Sequence, residues 1–195
     1  MGFYTISFVF IVLASFSCII HLYNRLAHYR ARAENQWHQI NVQLQRRYDL
    51  VPNLVETART TMNFEKSTLE SVIQARNSAL QALLAAQGKI DEDGIQKLSQ
   101  ADRILSGTLQ NFFAIVEKYP NIRSVENMKC LHEELVSTEN RVAFARQAYN
   151  DAVMCYNEEQ MRIPTKWIAK LGGHSPMDFY PLSSDEMREA VRVQF

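Results

Sequence analysis

Apolar residues recur at alternating spacings of three and four along most of the chain beyond residue 32. Four stripes follow one another: Ala33 to Val51, Val55 to Ala86, Ile104 to Val116 and Met128 to Ile163. A repeat of about 3.5 residues predicts helices that pack side by side, and no segment keeps the alternation of a β-strand. The pattern therefore predicts an all-α protein with four long helices.

Turn-forming residues separate the stripes. They occur between Asp49 and Pro52, in QGKIDEDG (87–94) and in YPN (119–121). Connections this short favour antiparallel neighbours. The fourth helix, over roughly 122–161, would rise about 60 Å at 1.5 Å per residue. The sequence thus predicts an elongated antiparallel four-helix bundle.

The pattern changes after Pro164. TKWIAKLGGHSPMDFYPL (165–182) predicts one short helix followed by a loop, and Ser183 with Glu186 forms a capping box that would open a last helix through about Val193. The mixture of Trp167 with lysines fits an interfacial foot on a membrane. It also fits a segment that covers the end of its own bundle.

The first segment, FYTISFVFIVLASFSCIIHLY (3–23), contains no Asp, Glu, Lys or Arg. Its length and apolar content predict an uncleaved transmembrane helix that contacts membrane lipids. A cleaved signal peptide is the main alternative, but a basic n-region and an A-x-A site are missing. A lipidated Cys18 is a weaker alternative, because Ser15-Phe16-Ser17 does not resemble a lipobox.

Basic residues follow this span closely, namely Arg25, His28, Arg30 and Arg32. Positive charge is retained on the cytoplasmic side, so we expect the N-terminus outside and the body in the cytoplasm. The predicted division is a transmembrane anchor (3–23), a helical bundle (24–163) and a C-terminal tail with a short helix (164–195).

Charge and motif content argue against several functions. Lys plus Arg and Asp plus Glu are 21 each among 195 residues, and no basic face with interleaved aromatics suggests nucleic-acid binding. Three cysteines without CxxC spacing, and histidines without HExxH or Glu-x-x-His pairs, indicate no metal or cofactor site. GxSxG, SxxK and phosphate-binding glycine motifs are absent. We therefore expect no enzymatic activity and no cofactor.

Polar residues interrupt the apolar seams where a bundle favours apolar ones. They are Arg47, Glu65, Arg76, Thr138 and Arg146. An unpaired buried charge is unfavourable, so each must pair, reach solvent or reach a partner. One interpretation is inter-helix salt bridges that fix the register. The other is a polar groove for another protein's helix or tail.

A Tyr-Asn pair repeats after seven residues in the fourth stripe, as Tyr149-Asn150 and Tyr156-Asn157. The structural interpretation packs each Tyr inward, with its hydroxyl bonded to a neighbouring helix and the Asn bonded sideways. The functional interpretation makes the series a binding face.

QRRYDLVPNLVET (45–57) predicts a corner between the first two helices. Asp49 is a candidate N-cap and Pro52 suits a first helical turn, while Val51, the residue before the proline, resists the αR conformation. Arg46 and Arg47 would then occupy the last turn of the first helix. The candidate interaction or structural polar residues are Arg46, Arg47, Asp49, Asn53, Glu65, Arg76, Asn140, Arg146, Tyr149 and Asn150.

Two long motifs, WHQINVQLQRRYDLVPNLVET (37–57) and TENRVAFARQAYNDAVMCYN (138–157), resemble the LemA family of bacterial membrane-anchored helical proteins. Tyr23-Asn24, LESVIQAR (69–76) and YPN (119–121) support the resemblance, which covers roughly residues 23–175. It implies an all-α fold with an N-terminal transmembrane helix in the bacterial cytoplasmic membrane, and no established enzymatic activity.

Two functions are consistent with these observations. The first is a membrane-anchored interaction or scaffold protein that binds a protein partner and could also form homo-oligomers. The alternative is a lipid-interacting protein that shapes or organises membranes, based on Arg25, Arg30, Arg32 and the segment around Trp167 and Lys170.

Overall fold

The computed structural model describes residues 2–61, 66–87, 90–119 and 126–181. Within these ranges the fold is all-α, as predicted, and contains no strand. The helices are α1 (Gly2–Thr61), α2 (Lys66–Gln87), α3 (Glu92–Val116), α4 (Glu126–Met161) and α5 (Thr165–Leu171).

Helix α1 joins the predicted anchor to the bundle without a break over 60 residues. Its first part is exposed on all sides through His21 and is long and apolar enough to cross a membrane. Burial on one face begins at Leu26 and continues through Trp37, Leu44 and Ala58. The same helix thus changes from an unpacked apolar rod to an amphipathic bundle helix.

The predicted corner between Asp49 and Pro52 is wrong, because Pro52 lies inside α1. Asp49 is therefore not an N-cap, and Arg46 and Arg47 are not in a last turn. A proline cannot donate a hydrogen bond to the carbonyl four residues earlier. The Tyr48 carbonyl, which loses this bond, accepts one from Arg76 Nε of α2 at 3.1 Å.

Buried apolar residues continue past the proline, so Val51, Leu54, Val55 and Ala58 pack on the same face as Leu44. The first part of the predicted second helix thus belongs to α1, and α2 begins at Lys66. The other two predicted connections fit the described ends of the helices: α2 ends at Gln87, α3 starts at Glu92, and α3 ends at Val116. Asp91 caps α3 by accepting a hydrogen bond from the Gly94 amide at 3.0 Å.

Four helices, α1 to α4, contribute to one buried core. Helices α1 and α4 are antiparallel neighbours, because Arg25, Trp37 and Arg47 of α1 contact Glu159, Tyr149 and Glu139 of α4 in reverse order. Helix α2 packs against both α1 and α3. In the described ranges no Cα atom of α3 comes within 8 Å of a Cα atom of α4. The bundle is consequently open between α3 and α4.

The predicted short helix after Pro164 is confirmed as α5, and residues 172–181 follow it without helix or strand. We call residues 172–181 the strap, since they run back along α4. Met177 pairs with Asn157 and Tyr180 pairs with Asn150. The predicted last helix through Val193 and the candidate Glu65 lie outside the described residues.

Candidate functional site

A groove runs between α3 and α4 where the two helices stand apart. It consists of three adjoining cavities of about 350, 320 and 320 Å³. The first two share Arg47 and Glu139 in their walls, and the second and third share Phe113 and His132. We call this continuous depression the α3–α4 groove.

A buried carboxylate, Asp102 of α3, forms the floor of one end of the groove. Its side chain is 2% exposed. Arg146 Nη2 of α4 donates to Oδ2 at 2.6 Å, and the Tyr48 hydroxyl of α1 donates to Oδ1 at 3.2 Å. Arg47 Nη1 lies 3.5 Å from both oxygens. Asp102 therefore joins side chains from three helices.

At this end of the groove, buried positive charges outnumber buried negative charges. Arg47 and Arg146 have side chains only 4% and 14% exposed, and both face the single buried carboxylate. The second acid near Arg47 is Glu139, whose carboxylate is 3.7 Å away and whose side chain is 53% exposed. Arg103 adds a third guanidinium to the wall. Because Glu139 can turn into solvent, this end of the groove suits an incoming carboxylate.

The opposite end of the groove is mainly apolar and aromatic. The Phe113 and His132 rings meet edge to face with centroids 4.3 Å apart. Val136 lines the middle cavity and is exposed, while buried Met128 lines the far cavity. Charged residues also line this far cavity, namely Glu117, Lys129 and Glu133. The groove still has a direction, with arginines at one end and aromatic and apolar side chains at the other.

The strap bounds the polar end, where Pro181 joins the wall. The Tyr180 ring lies under Arg146 with the guanidinium carbon 4.7 Å from the centroid, a cation–π contact. Burial raises the pKa of Tyr180 to about 12 and raises the pKa of Tyr48 further above its ordinary value. Both phenols are therefore neutral, and Tyr48 acts as a donor to Asp102.

The Tyr-Asn repeat holds the strap in place. Asn150 and Asn157 each donate to a strap carbonyl and accept from the amide of the same strap residue, Tyr180 and Met177 respectively. Seven residues of helix rise about 10.5 Å, and three extended residues span about 10 Å. The two spacings match, so the repeat on α4 fits two strap residues that lie three positions apart. Tyr149 adds a bond from its hydroxyl to the Asp178 carbonyl at 2.9 Å.

The structure shows the inter-helix ion pairs of the first interpretation, and a partner in the groove stays a prediction. Arg47 and Arg146 form the predicted inter-helix ion pairs, and they also line a groove. The Tyr hydroxyl bonds to the strap rather than to a neighbouring helix, and each Asn bonds to the strap as well. Half-buried Arg76 contacts the Tyr48 carbonyl and approaches Asp49 at 3.8 Å.

The remaining candidates do not join the groove. Arg46, Asp49, Asn53 and Asn140 are exposed, and none of them lines the cavities described above. Sequence reasoning missed Asp102, Tyr48 and Glu139. A signal for Asp102 was present, because it stands at helical spacing between the buried residues Leu98 and Leu105. An acid in that register predicts a buried ion pair on α3.

No group of three or more His, Cys, Asp or Glu side chains is arranged to hold a metal within the ranges that the structure covers. The expected absence of a cofactor and of enzymatic activity stays a prediction.

Comparison with known proteins gives one family. The LemA family model matches residues 36–195. The chain is 27% identical over 185 residues to the magnetosome proteins MamQ 2 and MamQ 1 of Paramagnetospirillum magneticum, covering 87% of this chain and 68% of each relative. The magnetosome protein MamQ of Magnetospirillum gryphiswaldense is 24% identical over the same length. With most of its bundle and its tail matched by the family model, the chain belongs to the LemA family.

Proposed function

We propose that this protein is a membrane-anchored helical scaffold that binds a segment of a partner protein in the α3–α4 groove. The observation that carries the proposal is the opening between α3 and α4, with arginines at one end and apolar side chains at the other. A bundle that served only its own stability would bring α3 and α4 together, since packed helix axes lie about 8–10 Å apart.

The chemistry of the groove defines the partner segment. An amphipathic helix laid in a groove is a common recognition mode. From Arg146 to Met128, α4 rises about 27 Å, which a helix of about 18 residues would match. We expect a carboxylate at the end that meets Arg47, Arg103 and Arg146, and apolar residues beside Phe113 and Val136. Glu139 would turn outward as the segment binds.

Site-specific crosslinking tests this proposal. A photo-crosslinking amino acid at Gln110 or Ala114, both in the groove wall, should capture a partner protein in intact cells. The same group at Gln81, exposed on α2, serves as the control position. Equal capture at both places would contradict a groove-specific partner, and a crosslink between two copies of this chain would make the partner a homo-oligomer.

A charge reversal sharpens this test. Arg103→Glu should reduce the groove crosslink at least about tenfold, the effect of about 1.4 kcal/mol of lost binding. Arg141→Glu changes the same charge at an exposed site on α4 that does not line the cavities. If both reversals reduce capture equally, the arginines of the groove do not select the partner.

The proposed location is a bacterial cytoplasmic membrane, crossed once by residues 3–23, with the N-terminus outside and the body in the cytoplasm. Family membership and the exposed apolar part of α1 support a membrane protein. The three arginines after the span support the direction.

A second candidate function, a lipid-interacting protein that shapes or organises membranes, is supported by a different observation. Exposed apolar and basic side chains of α5 lie beside the end of the predicted span. Vesicles reconstituted with the full chain should then differ in diameter or curvature from protein-free vesicles under electron cryo-microscopy. Unchanged vesicle shape at high protein density would count against this function.

A further inference from the structure

Helix α5 lies at the level where the predicted membrane span ends. Ala169 of α5 packs with Leu26 of α1 and Tyr156 of α4 in a small core of its own. Gly172 is so close to α1 that a Cβ atom there would lie 3.0 Å from the Tyr23 ring. The Tyr23 and His174 rings are also neighbours, with centroids 5.7 Å apart. α5 is thus fixed beside residues 23–26.

This level corresponds to the headgroup layer of a bilayer. Residues 3–23 rise about 30 Å along α1, the thickness of the hydrocarbon core. Tyr23 therefore falls at the boundary, and Leu26 lies about 4.5 Å beyond it. Side chains that project from α5 away from the bundle are within reach of lipid.

The side chains that α5 and its approach project outward are apolar and basic. Trp167 is 62% exposed and Leu171 is 90% exposed; they stand four residues apart and so share a helix face. Met161 and Ile163, just before α5, are each 72% exposed. Lys166 and Lys170 are exposed as well. We call these six side chains the α5 foot.

The composition of the α5 foot fits a lipid surface. Exposed apolar side chains this large are unfavourable in water, and contiguous ones mark interaction sites. Trp prefers the headgroup level, and Lys near an anionic leaflet is attracted to it. Arg25 and Arg162 add positive charge nearby; Glu159 is buried against Arg25, and Glu158 is the exposed acid next to Arg162.

We infer that the α5 foot inserts into the headgroup layer of an anionic bilayer and forms a second membrane contact beside the transmembrane span. The inference rests on anchoring by residues 3–23, and it deepens the second candidate function by naming the lipid-binding face. With two contacts, rotation of the bundle about α1 is restricted, so the α3–α4 groove keeps a fixed orientation to the membrane.

Tryptophan quenching in vesicles tests this inference with the full chain. The protein is reconstituted into phosphatidylcholine and phosphatidylglycerol vesicles in which the acyl chains carry bromine either near the headgroup or near the chain end. Trp37 is 0% exposed and provides an unquenched background. We expect a loss of Trp167 emission, larger with bromine near the headgroup, and no loss in Trp167→Phe.

Matched variants separate lipid insertion from general quenching. Trp167→Phe with Phe144→Trp moves the reporter to an exposed position on α4, about 22 Å of helix rise beyond Glu159, and should restore full emission. Lys166→Glu with Lys170→Glu should reduce the quenching of Trp167. Equal quenching at position 144, or quenching that the double reversal leaves unchanged, would overturn insertion into an anionic surface.

Two further outcomes would overturn insertion of the α5 foot into lipid. An unquenched, blue-shifted Trp167 in protein that resists alkaline extraction would mean that protein, such as a second copy, covers the foot, and this overturns the inference while leaving the anchor intact. Protein that alkaline extraction removes from the vesicles would contradict the anchor itself and overturn both.

Discussion

At the scale of single residues, Asp102 is the point where α1, α3 and α4 are tied together. Removal of its carboxylate leaves Arg47 and Arg146 buried without their shared counter-ion. We expect Asp102→Ala to lower the free energy of unfolding by about 3–5 kcal/mol, the usual effect of breaking a buried ion pair. Urea unfolding of the detergent-solubilised chain, followed by circular dichroism, measures this.

Arg47→Leu is the matched change on the other side of the pair. Asp102 then keeps the shorter bond from Arg146, at 2.6 Å against 3.5 Å for Arg47. We therefore expect a smaller loss, of about 1–3 kcal/mol. If Arg47→Leu destabilises as much as Asp102→Ala, the assignment of Arg146 as the main partner is wrong. A folded Arg47→Leu protein that no longer captures a partner would assign Arg47 to binding as well.

We expect His174 to make the stability of the fold depend on pH. Burial lowers the pKa of His174, with a contribution from the nearby Arg30 guanidinium, and Nδ1 lies 3.0 Å from the Tyr156 hydroxyl. Because the folded pKa is below the unfolded value of about 6.5, the unfolded chain binds more protons as the pH falls through that value. The stability that His174 contributes is thus fully present above about pH 6.5 and declines below it.

Thermal unfolding across this pH range tests whether stability falls as the pH is lowered. The midpoint of the wild-type chain should fall more steeply below about pH 6.5 than that of His174→Gln, which cannot titrate there. Parallel curves for the two proteins would show that His174 does not couple protonation to folding.

At the scale of elements, the continuity of α1 depends on a contact from α2. Arg76 donates to the Tyr48 carbonyl that Pro52 leaves without its helical donor. We expect Arg76→Met to cost about 1–3 kcal/mol in the wild-type background, the penalty for an unsatisfied buried acceptor. In a Pro52→Ala background the cost should be lower, because the alanine amide replaces the donor.

The double-mutant cycle isolates this coupling. Urea unfolding of the four proteins should give an interaction energy of about 1 kcal/mol or more between positions 52 and 76. A value near zero would mean that Arg76 stabilises the bundle in another way, for example through Asp49 at 3.8 Å.

Each of the two asparagines on α4 should protect its own strap residue from hydrogen exchange. The Tyr180 amide donates to Asn150 Oδ1 at 2.8 Å, and the Met177 amide donates to Asn157 Oδ1 at 3.0 Å. Asn150→Ala should expose the Tyr180 amide to hydrogen exchange and leave the Met177 amide more protected, while Asn157→Ala should do the reverse. Exchange that rises equally at both amides in both variants would show that the strap detaches as a unit.

The sequence predicted the helices better than their boundaries or the contacts between them. The apolar stripes predicted helical structure correctly and misplaced the boundary between the first two helices, because burial against neighbours sets the period of the stripes but not their ends. The predicted corner at Pro52 is wrong because two contributions outweigh the backbone preference of the residue before a proline. These are the continuous burial of Val51 and Val55 and the hydrogen bond that Arg76 donates. The partners of Arg47 were not readable, since Asp102 and Glu139 are distant in sequence and only the packed fold brings them together.

At the scale of the whole molecule, one helix links the predicted membrane span to a bundle with an open side. The groove lies between α3 and α4, and the α5 foot lies at the membrane end of the same bundle. If both proposals hold, the anchor, the α5 foot and the α3–α4 groove would together present a partner segment at a set height above the membrane. The arginines after the span predict the side of the membrane on which this bundle lies.

Native cysteines offer a direct test of that orientation. Cys130 is exposed on α4, far from the span, whereas Cys18 lies within the predicted span. In a Cys18→Ser, Cys155→Ser background, Cys130 should resist a membrane-impermeant maleimide applied to spheroplasts and react in inverted membrane vesicles. This result is expected because the positive-inside rule predicts that Arg25, Arg30 and Arg32 keep their end of α1 in the cytoplasm. A serine at position 130 in the same background is the control for labelling at other sites. Labelling in spheroplasts would place the body outside, and the partner of the groove would then have to be sought in the periplasm.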